Sequence, residues 1–412
     1  MWAKIWHIVT ELLAALWNAL WHPDQALVIL KQAVVGLFSI SWQPLVSHLL
    51  SILPIIAVFP GLFALITWAE RKILGRIQNR FGPNRVGPYG LFQPIADGLK
   101  MLSKEDIVPR AADQLLHFLA PIALVVPALL VYSVLPMGRH MTATNLDIGV
   151  LFFFAIGAIS EVAVFMAGWA SRNKYSILGA LRAVAQMVSY EIPLVLSAVT
   201  VVMVVGSLNT DEIVNAQAHG HWFVLTPWGL CGFFLFFIAA VAEVNRSPFD
   251  IPEAESEIIA GYHTEYSGFK FAIFFLAEYL AAIALAGLGV TLFLGGWRGP
   301  ILPSWLWFLV KANLLIFLMI WIRGTVPRLR SDQLMGFAWK FMLPLSLCNI
   351  LFTGLWYHMV AGQASAARGV LAWIVSAILL VLTYSLLSNF GFRRIVKRRE
   401  YRDAEGNLIA TV

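Results

Sequence analysis

Charge is scarce in this chain. Only 13% of its 412 residues are Asp, Glu, Lys or Arg, while 59% are hydrophobic. Soluble domains carry about 25% charged residues. With a mean hydropathy of +0.77, the composition excludes a soluble globular fold and indicates a polytopic membrane protein. Cysteine is scarcer still. Cys231 and Cys348 both lie in apolar runs and form no C-x-x-C pair. They read as small buried hydrophobes, without a disulfide framework or an iron–sulfur cluster of the chain's own. The nine histidines are scattered, with no H-x-x-x-H or H-E-x-x-H, so no metal is expected. His117 and His358, in or beside apolar runs, read as packing residues. No G-x-x-x-x-G-K-[ST] phosphate loop is present. Residues 1–48 carry no cleavable signal pattern. The formal charge of +6 does not point to nucleic acid, because the basic residues fall in particular loops.

What the chain has in quantity is apolar runs. Nine spans are expected, at 49–69, 115–137, 148–170, 185–206, 226–245, 269–295, 303–323, 339–360 and 368–390. Each is long enough for about 30 Å of hydrocarbon at about 1.5 Å per residue. The fold class is an all-α polytopic membrane protein of 8–9 transmembrane helices with long cytoplasmic loops. Residues 1–48, with Trp2, Trp6, Leu13, Leu16, Trp17 and Leu20, read as an amphipathic segment on the membrane surface; a first span entered obliquely is the alternative. The membrane core is 49–360. Residues 361–412 add one peripheral helix and a basic tail.

Lysine and arginine set the orientation. One set of connections, 70–114, 171–184, 246–268, 324–338 and the tail, holds most of them, ending in FRRIVKRRE. The opposite connections hold Arg139, Arg298 and Arg368, with Lys4 and Lys31 in the N-terminal segment. The first set is therefore expected in the cytoplasm, the C-terminus with it and the N-terminus in the periplasm.

Two loops are too patterned to be simple connections. Residues 69–109 begin AERKILGRIQNRFGPNRVGPYG, where Gly82, Pro83, Gly87, Pro88 and Gly90 fix tight turns. Leu91, Ile95, Leu99 and Leu102 then recur at helical spacing, as in an amphipathic helix on the membrane face. Headgroup anchoring accounts for scattered basic residues there, but poorly for the Gly/Pro geometry. The second loop, from Ala242, reads AEVNRSPFDIPEAESEIIAGYHTEYSGFKFAIFFLAEY. It concentrates Glu243, Asp250, Glu253, Glu255, Glu257, Glu265 and Glu278, seven of the chain's 23 acids. First-turn acids that meet a helix dipole could explain Glu253 and Glu255 after Pro252. They do not explain Glu243 and Glu278, which stand in apolar runs.

A charge within a span costs on the order of 3 kcal/mol and by default marks an ion or proton path. Glu243, Glu191 and the pair Glu161 and Glu278 lie roughly 3, 9 and 14 Å inside the cytoplasmic ends of their spans at about 1.5 Å per residue. If they converge, they form a protonatable row. The rival reading is local pairing with Lys270, Lys311 and Lys340.

These strings resemble the H-subunit family of bacterial NADH:quinone oxidoreductase, that is, complex I. Two further matches are GWASRNKYSILGALRAVAQMVSYEIP (168–193) and PRLRSDQLMGFAWKFMLP (327–344). Together the matches cover about a third of the chain, in family order. Ser331 and Gly324 depart from the family's usual aromatic residue and alanine.

The resemblance implies a quinone chamber, formed with two cluster-bearing hydrophilic subunits, in the bacterial inner membrane. It implies that Arg71, Lys72, Arg80, Arg85, Asp250, Glu253, Glu255 and Glu257 shape that chamber and its docking surface. Glu161, Glu191, Glu243 and Glu278 would belong to an acidic proton path leading to small membrane subunits beside it. Quinone is then the substrate and nothing is bound covalently. FMN and Fe–S clusters are expected only in partner subunits, and no complete active site in this chain. The equivalent subunit of a membrane-bound hydrogenase remains an alternative. A stand-alone carboxylate-based ion transporter is another, although no inverted repeat or pair of broken spans is visible.

Overall fold

The computed structural model describes residues 26–36, 38, 42–218, 221–250 and 259–360. Beyond them it describes 374, 377–378, 381, 384–385, 400–402 and 408–411. Residues 1–25, the acids Glu253, Glu255 and Glu257, and most of the expected ninth span 368–390 lie outside the described residues.

A short helix, α1 (Ala26–Gly36), precedes α2 (Gln43–Ile77), which is followed by the amphipathic α3 (Gln93–Ser103). Then come α4 (Gln114–Leu130), α5 (Gly149–Gly157), α6 (Ile159–Ala170), α7 (Lys174–Val205) and α8 (Thr210–Ala216). The rest of the core is α9 (Pro227–Glu243), α10 (Gly268–Phe293), α11 (Ser304–Thr325), α12 (Ser331–Phe337) and α13 (Leu343–Val360). Each of the first eight expected spans is occupied by helix. Among the described residues, seven helical stretches are long and apolar enough to cross a membrane, and α9 is a shorter apolar helix. A two-stranded antiparallel ribbon, β1 (Glu400–Arg402) with β2 (Leu408–Thr411), lies in the tail, where the hydropathy pattern suggests no strand.

The caps follow from sequence. Asp113 accepts from Leu116 N and opens α4, Asn173 accepts from Tyr175 N and opens α7, and Thr226 with Pro227 opens α9. Each side chain satisfies an orphan N–H at a helix start. Gly206, with φ 75°, ends α7. The helix α7 starts at Lys174 rather than near 185, because nothing between Asn173 and the apolar run breaks it. At 32 residues it exceeds the roughly 20 a bilayer needs. The third span is interrupted at Ala158, between α5 and α6.

Of the spans, α10 is the most buried and α2 the least. One core cluster joins α9, α10 and α11 through Phe236, Leu280, Leu288, Phe293 and Leu315. The other packs small residues, among them Ala163, Ala167, Ala180 and Ala183, with Leu124, Met187, Tyr262, Tyr266 and Phe274. Small residues let helices approach closely where no water drives association. A Cβ on Gly168 would lie 2.3 Å from Ala180 Cβ, and one on Gly179 would lie 2.6 Å from Gly261 Cα. The second approach lets the 261–263 turn press against α7 and sets Tyr262.

Candidate functional site

Four helices bring carboxylates to one place. Glu191 of α7, Glu243 at the end of α9 and Glu278 of α10 line one partly open cavity. Glu161 of α6 lies within electrostatic reach of Glu191, and its chain neighbour Ser160 lines the cavity. Tyr262 also lines the cavity and donates its hydroxyl to Glu278 Oε1 at 2.7 Å. Glu161 Oε1 and Glu243 Oε2 are buried without a hydrogen-bond partner. The remaining walls include Leu124, Phe153, Phe154, Leu194 and Leu285. The arrangement is an apolar room with protonatable groups aimed into it, able to hold and pass protons.

A second, smaller cavity is built on Glu70 of α2, Arg246, Tyr279 of α10 and Arg323 of α11. Glu70 is 4% exposed. Arg246 Nη1 donates to its two carboxylate oxygens at 3.1 and 3.3 Å, and Tyr279 donates to Oε2 at 2.7 Å. Arg323 pairs with the same carboxylate. The Arg246 guanidinium also lies over the Tyr279 ring, 3.9 Å from its centroid. One carboxylate thus faces two guanidiniums and a phenol, with Ile66, Ile283, Ile316 and Met319 around them.

The connection after α9 serves both cavities. Asn245 lines the acidic one and Arg246 the other. Gln186 of α7 fixes this connection: its Nε2 donates to Ala242 O and Phe249 O at 2.7 Å each and to Asn245 Oδ1 at 3.1 Å. Asn245 takes φ 53°, which asparagine tolerates better than most residues.

The basic loop residues stand elsewhere. Arg71 is exposed and pairs with Asp97 of α3 at 2.6 Å. Lys72 Nζ reaches Asn84 Oδ1 at 3.5 Å, and Arg80 Nε donates to Gln78 Oε1 at 2.8 Å. Arg85 is exposed. The glycines fold this loop back on α2: a Cβ on Gly82 would lie 2.8 Å from Arg71 O, and one on Gly75 would lie 2.9 Å from Gly82 N. Asp250 is half-buried and acts on His263, whose pKa burial lowers to about 4 against the pull of that carboxylate. Lys270 pairs with Asp106 at 2.7 Å, and Lys311 with backbone carbonyls. Neither lysine is hydrogen-bonded to an acid of the cavity. Among the described residues, no group of three His, Cys, Asp or Glu is placed to hold a metal ion.

Hydropathy along the sequence singles out the acids of the large cavity but passes over Glu70, Tyr262, Tyr279 and Arg323. Glu70 has a signal of its own. It follows Phe59 and Ile66 at helical spacing, and all three are buried. An acid on the inward stripe of an apolar helix is a site candidate even beside basic residues.

A family profile described as NADH dehydrogenase matches residues 50–354. A Dehalococcoides mccartyi protein, the H subunit of NADH-quinone oxidoreductase, is 49% identical over 351 residues, 84% of this chain and 98% of its own. An H subunit of the same enzyme from Geobacter sulfurreducens, the one numbered 2, is 49% identical over 302 residues, covering 71% and 91%. The H subunit of Bacillus cytotoxicus is 50% identical over 293 residues, covering 70% and 87%.

Proposed function

Because the chain belongs to the H-subunit family of NADH-quinone oxidoreductase, we propose that it walls a quinone chamber and carries an acidic path from that chamber to proton pumping. It is a multi-pass membrane subunit of this translocase complex. On this reading electrons reach quinone from a cluster in a partner, and the two cysteines here, Cys231 and Cys348, form no cluster-binding C-x-x-C pair. Quinone reduction takes up protons and changes local charge. Each pKa unit moved in a neighbouring carboxyl is worth about 1.36 kcal/mol. Acids within reach of one another convey that change as protonation and rearrangement.

One observation carries the reading: Glu191, Glu243 and Glu278, from three helices, line one cavity, with Glu161 of a fourth helix within electrostatic reach of Glu191. The Glu70 cavity, with Arg246 and Tyr279, is the polar end against which a quinone headgroup would rest. Arg71, Lys72, Arg80, Arg85 and the loop from Asp250 through Glu253, Glu255 and Glu257 form the docking surface for the two hydrophilic-arm subunits. This face is cytoplasmic on the lysine and arginine distribution. Small membrane subunits adjoin the acidic path on the α6 and α7 side, where Glu161 is half-buried.

The test is Glu191→Gln and Glu278→Gln in assembled complexes. Both quinone reductase activity and proton transfer fall in each. Normal turnover and pumping with assembly intact would sink the acidic path.

A further inference from the structure

The end of α10 remote from the acidic loop is a helix C-terminus buried in protein. Such an end leaves carbonyl oxygens without intrahelical partners, and burial makes each one costly. Two side chains meet them. Gln217 Nε2 donates to Thr291 O at 2.9 Å and Leu292 O at 3.1 Å, while its Oε1 accepts from Gly295 N at 2.9 Å. Lys311 of α11 serves the C-cap and the turn that follows it. Its Nζ donates to Leu294 O at 2.7 Å, Gly296 O at 3.0 Å and Arg298 O at 2.7 Å. Three carbonyls use all three ammonium hydrogens.

Aromatic rings complete the enclosure. The centroids of Trp222 and Trp307 lie 4.4 and 5.8 Å from Nζ, within cation–π range. The turn is shaped around those rings. Gly295 has φ 73°, and a Cβ there would stand 2.6 Å from Trp222 Nε1; a Cβ on Gly299 would stand 2.3 Å from Trp307. The negative end of the α10 dipole adds to the attraction for a cation. Lys311 is 5% exposed, so the charge sits among these groups with little water.

We propose that the end of α10 is a built cation site for a primary ammonium. Lys311 fills it in this chain, and its ammonium is a positioning group for Glu278 and Tyr279. The opposite end of α10 is held by Lys270 on Asp106 and by Ser267, which accepts from Ile107 N and donates to Glu105 O. A helix pinned at both ends keeps its height in the bundle, and that height places Glu278 and Tyr279 at their cavities. Leu294 is about 24 Å from Glu278 along the axis, so the ammonium acts through the rigid helix and not on the reacting groups. The positioning role rests on the proposed acidic path; the cation site itself does not.

The experiment uses the assembled complex. Lys311→Met keeps the length and removes the charge; Lys311→Ala opens the site. Both lower the thermal midpoint of the complex and reduce quinone reductase activity about tenfold, the scale of one lost charge-assisted hydrogen bond. Added n-propylammonium restores at least half of the loss in Lys311→Ala but none in Lys311→Met, whose side chain occupies the space the lysine stem leaves. Tetramethylammonium, which has no N–H, restores neither. A Lys311→Met complex with wild-type midpoint and activity overturns the proposal, as does equal rescue of Lys311→Ala by tetramethylammonium. Should the lysine variants not assemble, Trp222→Phe and Trp222→Leu give the same reading. Phenylalanine preserves the midpoint and leucine lowers it, and equal midpoints for the two overturn the cation site. Loss of the acidic path in the Glu278→Gln test would leave the midpoint and rescue results standing.

Discussion

Glu278 and Tyr279 are consecutive residues of α10, and they line different cavities. Glu278 receives the Tyr262 hydroxyl in the acidic cavity, while Tyr279 donates to Glu70 in the other. Successive side chains on a helix diverge by about 100°, so one helix forms the partition between the two rooms. Asn245 and Arg246 repeat the division on the connection after α9. A charge change on the Glu70 side therefore has a short route to the acids, through one helix turn and one loop.

Tyr279→Phe tests the phenol apart from the ring. It keeps the aromatic face beneath Arg246 and removes one hydrogen bond to a charged carboxylate, a bond worth about 1.5–3 kcal/mol. The expected result is about a tenfold rise in KM for quinone, with assembly unchanged. Steady-state kinetics with short-tailed and long-tailed quinones reads it, and an unchanged KM for both would remove the Glu70 cavity from the quinone reading.

Glu70→Gln leaves Arg246 and Arg323 without their shared counter-charge. Breaking a buried pair by removing one partner costs about 3–5 kcal/mol. The variant is expected to reduce the yield of assembled complex, and Glu70→Ala more so. Native electrophoresis of solubilised membranes measures this. Wild-type yield from both variants would show that the cluster does not stabilise the bundle.

The connection between α9 and α10 should loosen in acid. Burial depresses His263 from 6.5 to about 4, against the pull of Asp250. The folded state thus disfavours the protonated imidazole, so its stability is full above about pH 6.5 and declines as pH falls toward 4. Within that window, opening of the 259–267 segment increases up to about tenfold per pH unit. Protease cleavage there, compared at about pH 7 and about pH 5, reads the effect, and His263→Phe flattens it. An equal pH response in the variant would assign the effect to another group.

Arg85 is exposed on the loop that Gly82 folds against α2. Arg85→Ala is expected to change the affinity for quinone or for quinone-site inhibitors without changing assembly. Inhibitor titration across quinone tail lengths measures it; identical curves would separate this loop from the chamber.

Local and one-dimensional signals are legible in the sequence. Long apolar runs place eight helices, because in lipid the backbone must satisfy itself within each span. Capping residues such as Asp113, Asn173 and Thr226 place helix starts. The isolated acids Glu161, Glu191, Glu243 and Glu278 stand out because apolar neighbours make a charge conspicuous. The extent of α7 is less legible, since hydropathy marks where a helix is in lipid and not where it ends.

By itself, then, the sequence determined the membrane class, the first eight spans and which acids carry a cost that calls for a role. The tertiary structure decided which acids meet, that Glu70 is clamped by Arg246, Tyr279 and Arg323, and that Lys311 serves carbonyls and not carboxylates. The physical reason is the range of the interactions. A hydrophobic run or a cap involves neighbours along the chain. The partners of Glu70 come from positions 246, 279 and 323, and no periodicity within a single helix specifies which face of another it will meet.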